Sequence, residues 1–210
     1  MMPYCSSTGT RTTREQLLKR GWSVLWCATG HNWDSKPTIP SYAIDNGAWS
    51  AFLQNKPFSS ELFLRCLEFS KQNPQLGKPN FTVLPDVVKG GLASLDFSLS
   101  WEKRVRPYSA RVLIAVQDGM RPKDVEQYLD ESTGLFIGGS TEWKLATLDS
   151  WGALCRDKYY LHCGRVNTKR RINHCLSAGV DSFDGTSVAR FPKTIKQLDR
   201  ARHQMALPLF

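Results

Sequence analysis

The feature that most constrains this chain is a repeated alternation of short, continuously apolar segments with longer helix-like ones. Strand-like segments fall at residues 23–29, 41–47, 81–88, 111–117, 134–139, 159–164 and 180–186. Helical segments are expected at 13–20, 59–72, 92–106, 122–131, 141–156, 168–178 and 194–205. Local signals support several of these. Ser59 is placed to cap its helix, with Leu62, Cys66 and Phe69 on one face. Pro107 ends one helix, Pro122 stands in the first turn of another, and Gly179 closes a third. Apolar strands linked through helices form parallel sheets covered on both faces. Seven such units predict an α/β fold, a compact TIM-type (β/α)8 barrel, either complete or short of one β-α unit. A doubly wound open sheet is the alternative. The expected organisation is one domain over residues 1–210. No G-x-G-x-x-G or G-x-x-x-x-G-K-[ST] stretch is present, which argues against dinucleotide and nucleoside triphosphate binding.

Polar groups recur where the apolar segments stop. Asp45-Asn46-Gly47, Asp86, Gln117-Asp118-Gly119, Gly138-Gly139-Ser140, His162-Cys163-Gly164 and Asp184-Gly185-Thr186 each end a strand. A parallel barrel gathers all these ends on one face, where active sites of such barrels sit. Singly, each has an ordinary explanation: an Asp after a strand caps a helix or makes a turn, and a lone histidine packs in a core. Jointly they describe a pocket for a purine-like base. Carboxylates accept from ring N–H and amino groups, an amide both donates and accepts, and glycine N–H groups donate to a carbonyl oxygen.

In these residues the chain resembles the tRNA-guanine transglycosylase superfamily, and most of all its short phage and bacterial branch, the DNA 7-deazaguanine transglycosylases. Asp45-Asn46-Gly47-Ala48-Trp49 is similar to the family's Asp-Ser-Gly-Gly-aromatic stretch. Asp86 matches a base-binding Asp, Val116-Gln117-Asp118-Gly119 a Val-Gln-Gly segment, and Ile137-Gly138-Gly139-Ser140-Thr141-Glu142 a Gly-Gly segment followed by Glu. Gly179-Val180-Asp181-Ser182-Phe183-Asp184 resembles the Gly-Val/Ile-Asp-x-Phe-Asp segment whose last Asp is the nucleophile, and Arg190 keeps the family's spacing from it. The likeness runs in order from about residue 41 to 190. Two positions depart: Gly185 stands where many tRNA enzymes have Cys, and Ala48 replaces the second Gly.

The resemblance implies a pentosyltransferase that replaces guanine in DNA with a 7-deazaguanine base of the preQ0 type. Asp184 would be the nucleophile and Asp45 the general acid/base. Asp86, Gln117, Gly138, Gly139, His162 and Gly164 would bind the base. No cofactor is expected, only the free 7-deazaguanine base as co-substrate. The zinc subdomain of the tRNA enzymes does not follow Asp184, so DNA is expected rather than tRNA. A compact enzyme acting on tRNA or another RNA, or a non-catalytic nucleic-acid-binding barrel, are the alternatives.

The charge fits a nucleic-acid partner. Twenty-eight Lys and Arg against 19 Asp and Glu give a net charge of +9, and excess cations favour polyanions through phosphate contacts. Lys169, Arg170, Arg171, Arg190, Lys193 and Lys196 are expected to hold the backbone, and Trp33 and Trp49 to be available for stacking. The guanine must be flipped out of a duplex or presented in a single strand. The six cysteines form no C-x-x-C pair, so no metal site is expected. No stretch reaches the roughly 20 apolar residues that span a bilayer. No membrane partner is expected, and the expected location is the cytoplasm, that of the host if the protein is phage-encoded.

Overall fold

The strand that the hydropathy pattern conceals is the first. In a computed structural model of the chain, which describes residues 1–6, 10–30 and 41–203, Met2–Ser6 forms β1 and pairs in parallel with strands on both sides. The sequence Met-Pro-Tyr-Cys-Ser carries a proline and ends on a polar residue, so it lacks the apolar run that marks the others. With it the sheet has eight parallel strands, not seven, and it closes. The barrel is therefore the complete form, and the open-sheet alternative is excluded.

The remaining strands follow in chain order: β2 (Ser23–Cys27), β3 (Tyr42–Asp45), β4 (Thr82–Val83), β5 (Val112–Val116), β6 (Thr133–Ile137), β7 (Leu161–Cys163) and β8 (Ser182–Gly185). Each pairs with its neighbours in sequence, and β1 meets β8 with Tyr4 opposite Asp184. The barrel is therefore a TIM-type (β/α)8 barrel. Its strand bounds are tighter than the apolar segments suggested. β4 stops at Val83, ahead of Pro85, so Asp86 sits on a loop.

The helices are α1 (Arg11–Leu18), α2 (Ala48–Leu53), α3 (Ser60–Gln72), α4 (Gly91–Val105), α5 (Pro122–Val125), α6 (Thr141–Cys155), α7 (Lys169–Ser177), α8 (Ser187–Arg190) and α9 (Ile195–Arg202). Ser59 caps α3 by accepting from Leu62 N at 3.3 Å, as its position before the helix predicts. The buried face of α3 is one step away from the expected one and consists of Phe63, Cys66, Leu67 and Ser70. The helix expected at 122–131 is a single turn followed by a 3-10 turn at Glu126–Tyr128. The short helix α2, directly after Asp45, has no counterpart in the sequence reading.

Period-two alternation along the strands splits the core into two layers. Tyr4, Leu25, Ala43, Phe81, Val83, Leu113 and Ala115 fill the barrel. Trp22, Trp26, Ile114, Ile137, Trp151 and Phe183 belong to the outer layer, between strands and helices. His162 is an inner residue. It is fully buried, and its ring contacts Tyr4, Phe81 and Phe136 with centroids 5.8, 4.9 and 4.9 Å away. Among the described residues no helix is long and apolar enough to cross a membrane.

Candidate active site

The strand ends do converge. Asp45, Asp86, Gln117, Gly138, Gly139 and Asp184 line one cavity of about 430 Å³ at the mouth of the barrel, a size suited to a small planar ligand. Asn46, Trp49, Arg165 and Arg190 line it too.

Asp86 is held by two amides. Asn46 Nδ2 donates to Oδ1 at 2.7 Å, and Gln117 Nε2 donates to Oδ2. Asn46 is itself fixed. Its Nδ2 also reaches Leu84 O at 2.6 Å, and its Oδ1 accepts from Ala48 N at 2.7 Å, at the start of α2. The strand-end Asp-Asn-Gly is therefore more than a turn: Asn46 ties β3, the β4 loop and α2 to one carboxylate. The sequence reading did not assign Asn46 a role. Its only signal was adjacency to Asp45. Burial raises the Asp86 carboxyl to about 6, against the lowering effect of the two amides.

Asp45 ends β3 and keeps a partly accessible side chain deep in the mouth. Its carboxyl is pushed up to about 7, first by desolvation and then by the charges of Asp184 and Asp86; hydrogen bonds from Cys27 and the Gly47 amide oppose this. A carboxyl that ionises near neutrality can deliver a proton and take it back in the same cycle.

Asp184 lies in β8 and is 8% exposed. One oxygen, Oδ1, is 3.1 Å from His162 Nε2 and accepts the Arg165 backbone N–H at 3.3 Å. Oδ2 has no hydrogen-bond partner among the described residues. His162 does not line the cavity. It stands beneath Asp184 as a support, which differs from the base-contacting role expected for it. Gly164 likewise does not line the cavity. A Cβ there would lie 2.6 Å from Phe136 Cζ and 3.3 Å from Asp184 Oδ1, so only glycine lets the chain pass this close to the carboxylate.

In the Gly138-Gly139 pair, the Gly138 N–H already donates to Val116 O at 3.0 Å. Gly139, with φ +62°, is the one whose amide remains for a ligand. Its carbonyl accepts from the Arg165 guanidinium, which also lies 4.0 Å from the centroid of the Trp49 ring. Arg165 was missed in the sequence, although it directly follows a strand-end glycine. It joins the β6 loop to α2 across the cavity, and the cation–π contact places a positive charge on an aromatic face.

The basic residues divide. Arg190 lines the cavity and is exposed. Lys169 and Arg170 are exposed and Arg171 half-buried in the first turn of α7, which leaves the same end of the barrel. Lys193 and Lys196 are exposed farther along the chain. Trp33 lies outside the described residues. Among the described residues no group of His, Cys, Asp and Glu is arranged to hold a metal ion, and all six cysteines are free. No protein-family model matches the chain, and a search of curated proteins finds no match.

Proposed function

We propose that the protein is a base-exchange transglycosylase that replaces guanine in DNA with a 7-deazaguanine base. One observation carries this reading: three carboxylates, an amide and a free glycine N–H meet in a single purine-sized cavity, and one carboxylate is braced through one oxygen only. Such bracing suits a nucleophile, since the braced carboxylate presents its other oxygen.

In the first half-reaction Asp184 Oδ2 attacks C1′ of the nucleotide. The C1′–N9 bond breaks, its electron pair stays on the guanine, and Asp45 supplies the proton the departing base needs. In the second, the 7-deazaguanine base gives its proton to Asp45 and its nitrogen attacks C1′. The Asp184–C1′ bond breaks, and its electron pair returns to the carboxylate. Two inversions retain the sugar configuration, as in retaining glycosidases. One glycosidic bond replaces another, so no energy source is consumed.

Recognition follows the hydrogen bonds. Asp86 keeps lone pairs for the N1–H and 2-amino edge of guanine, while the Gly139 N–H suits the 6-oxo group. Gln117 has one N–H committed to Asp86, which leaves its oxygen and second N–H for the base. Adenine would leave these groups unpaired. A net charge of +9 and the exposed cations around the mouth suit a phosphate backbone.

The test is mass spectrometry of nucleosides from DNA incubated with the protein and preQ0. A 7-deazaguanine nucleoside in the DNA is the expected result. Label appearing in tRNA but not in DNA would assign an RNA substrate, and free guanine without incorporation would make the protein a hydrolase.

A further inference from the structure

Lys144, in α6, is 5% exposed. Its amine donates to the Gly164 carbonyl oxygen, and no carboxylate pairs with it among the described residues. Burial pulls the Lys144 amine below its usual range, and a buried amine held by one carbonyl is a costly arrangement, because a single bond replaces a full hydration shell. An apolar side chain of similar length would fill the same space without that cost.

The carbonyl that Lys144 holds belongs to the Gly164–Arg165 peptide. That peptide is trans, so its C=O and N–H point in opposite directions. The N–H end donates to Asp184 Oδ1 at 3.3 Å. Lys144 and Asp184 thus grip opposite edges of one peptide unit. A donor on the oxygen draws density from the nitrogen and strengthens its N–H as a donor, the cooperative effect seen in hydrogen-bond chains. Arg165 has φ +59°, left-handed backbone that is uncommon for arginine. The bond from Lys144 to the preceding carbonyl helps to fix it there.

We propose that Lys144 is a positioning residue for Asp184, acting through the Gly164–Arg165 peptide. It fixes Oδ1 as the hydrogen-bonded oxygen and leaves Oδ2 as the one that attacks. The catalytic consequence rests on the base-exchange reading; the coupling through the peptide is a property of the resting protein and is measured separately.

The experiment compares wild type with Lys144→Met and Lys144→Gln in two assays. In 1H–15N spectra the Arg165 amide proton is expected to move upfield in Lys144→Met. It should lie between the two in Lys144→Gln, which keeps a neutral donor. That resonance unchanged in the Met variant, or in the Gln variant if the Met variant does not fold, would overturn the proposal. In the exchange assay kcat should fall about tenfold in Lys144→Met with KM within about threefold; a loss confined to KM would also overturn it. If wild type moves no base between DNA and solution, the function reading fails, and a shifted Arg165 amide would still establish the coupling.

Discussion

His162 Nε2 stands 3.1 Å from Asp184 Oδ1, and the histidine behind that contact is fully buried. The two side chains share the barrel interior because His162 pairs with Ser182 and Asp184 is two residues further along β8. Burial holds the imidazole below its ordinary value, against the opposing pull of Asp184, so the ring is neutral at pH 7. Its Nδ1 faces Ser182 Oγ at 2.7 Å, and Ser182 in turn accepts from the Tyr160 hydroxyl at 2.7 Å. With the Ser182 proton given to Nδ1, the single ring proton sits on Nε2 and is donated to Asp184.

Removing that braced carboxylate tests the central assignment. Asp184→Ala is expected to reduce base exchange by at least about 10³-fold. Binding to a guanine-containing oligonucleotide, followed by fluorescence anisotropy, should weaken by no more than about threefold, since the loss of an anion does not disfavour a polyanion. Substantial exchange by the variant would exclude Asp184 as the nucleophile.

On the proposed base-exchange reading, Asp45 sets the upper limb of the pH profile. Its carboxyl is pushed up to about 7, and in the proposed base exchange the protonated form is the one that would assist departure of guanine. The rate of the first half-reaction should therefore fall as pH rises through about 7. Asp45→Asn should lose this limb and react about 10²–10⁴-fold more slowly. A single-turnover profile flat from pH 6 to 8 in wild type would assign the proton transfer elsewhere.

The same two carboxyls affect folding stability. Asp45 and Asp86 are raised to about 7 and about 6, whereas in an unfolded chain an aspartate ionises near about 4. Between these values the folded state binds more protons than the unfolded state, so stability falls as pH rises from about 4 to about 7. Asp45→Asn is expected to gain on the order of 1–2 kcal/mol over wild type at pH 8, a figure discounted for the carboxylate's contact with solvent, and nothing at pH 4. Urea unfolding at the two pH values measures it; an equal effect at both would mean that ionisation is not the cause.

Asp86 is the sharpest probe of the proposed base recognition. Asp86→Asn sets an amide against the Asn46 and Gln117 donors that now hold the carboxylate. Loss of an acceptor for the guanine edge is expected to lower kcat/KM about 10²–10³-fold. Titration calorimetry with the free base should show the same loss in affinity, and unchanged affinity would place the guanine edge against another group.

The parallel barrel was legible because its strands are buried on both faces and so read as apolar runs, and because five of the six strand-end groups named from sequence supply residues that line one cavity. The first strand was not legible: Pro3 and Ser6 hide it, and its place is fixed by pairing with β2 and β8. His162 shows a different limit. Its position at a strand end was visible, but the side to which it turned was not, and period-two alternation sent it into the barrel below Asp184 rather than into the cavity.

Local polarity marks where each apolar run stops, so the chemical groups at the strand ends can be read from the chain alone. What those groups do to one another depends on the closed barrel. Asn46 and Gln117 reach Asp86 from just past the ends of β3 and β5, Arg165 crosses from Gly139 to Trp49, and Lys144 meets the peptide that touches Asp184. Each contact joins residues far apart in the chain, and barrel closure brings them within hydrogen-bond or van der Waals range.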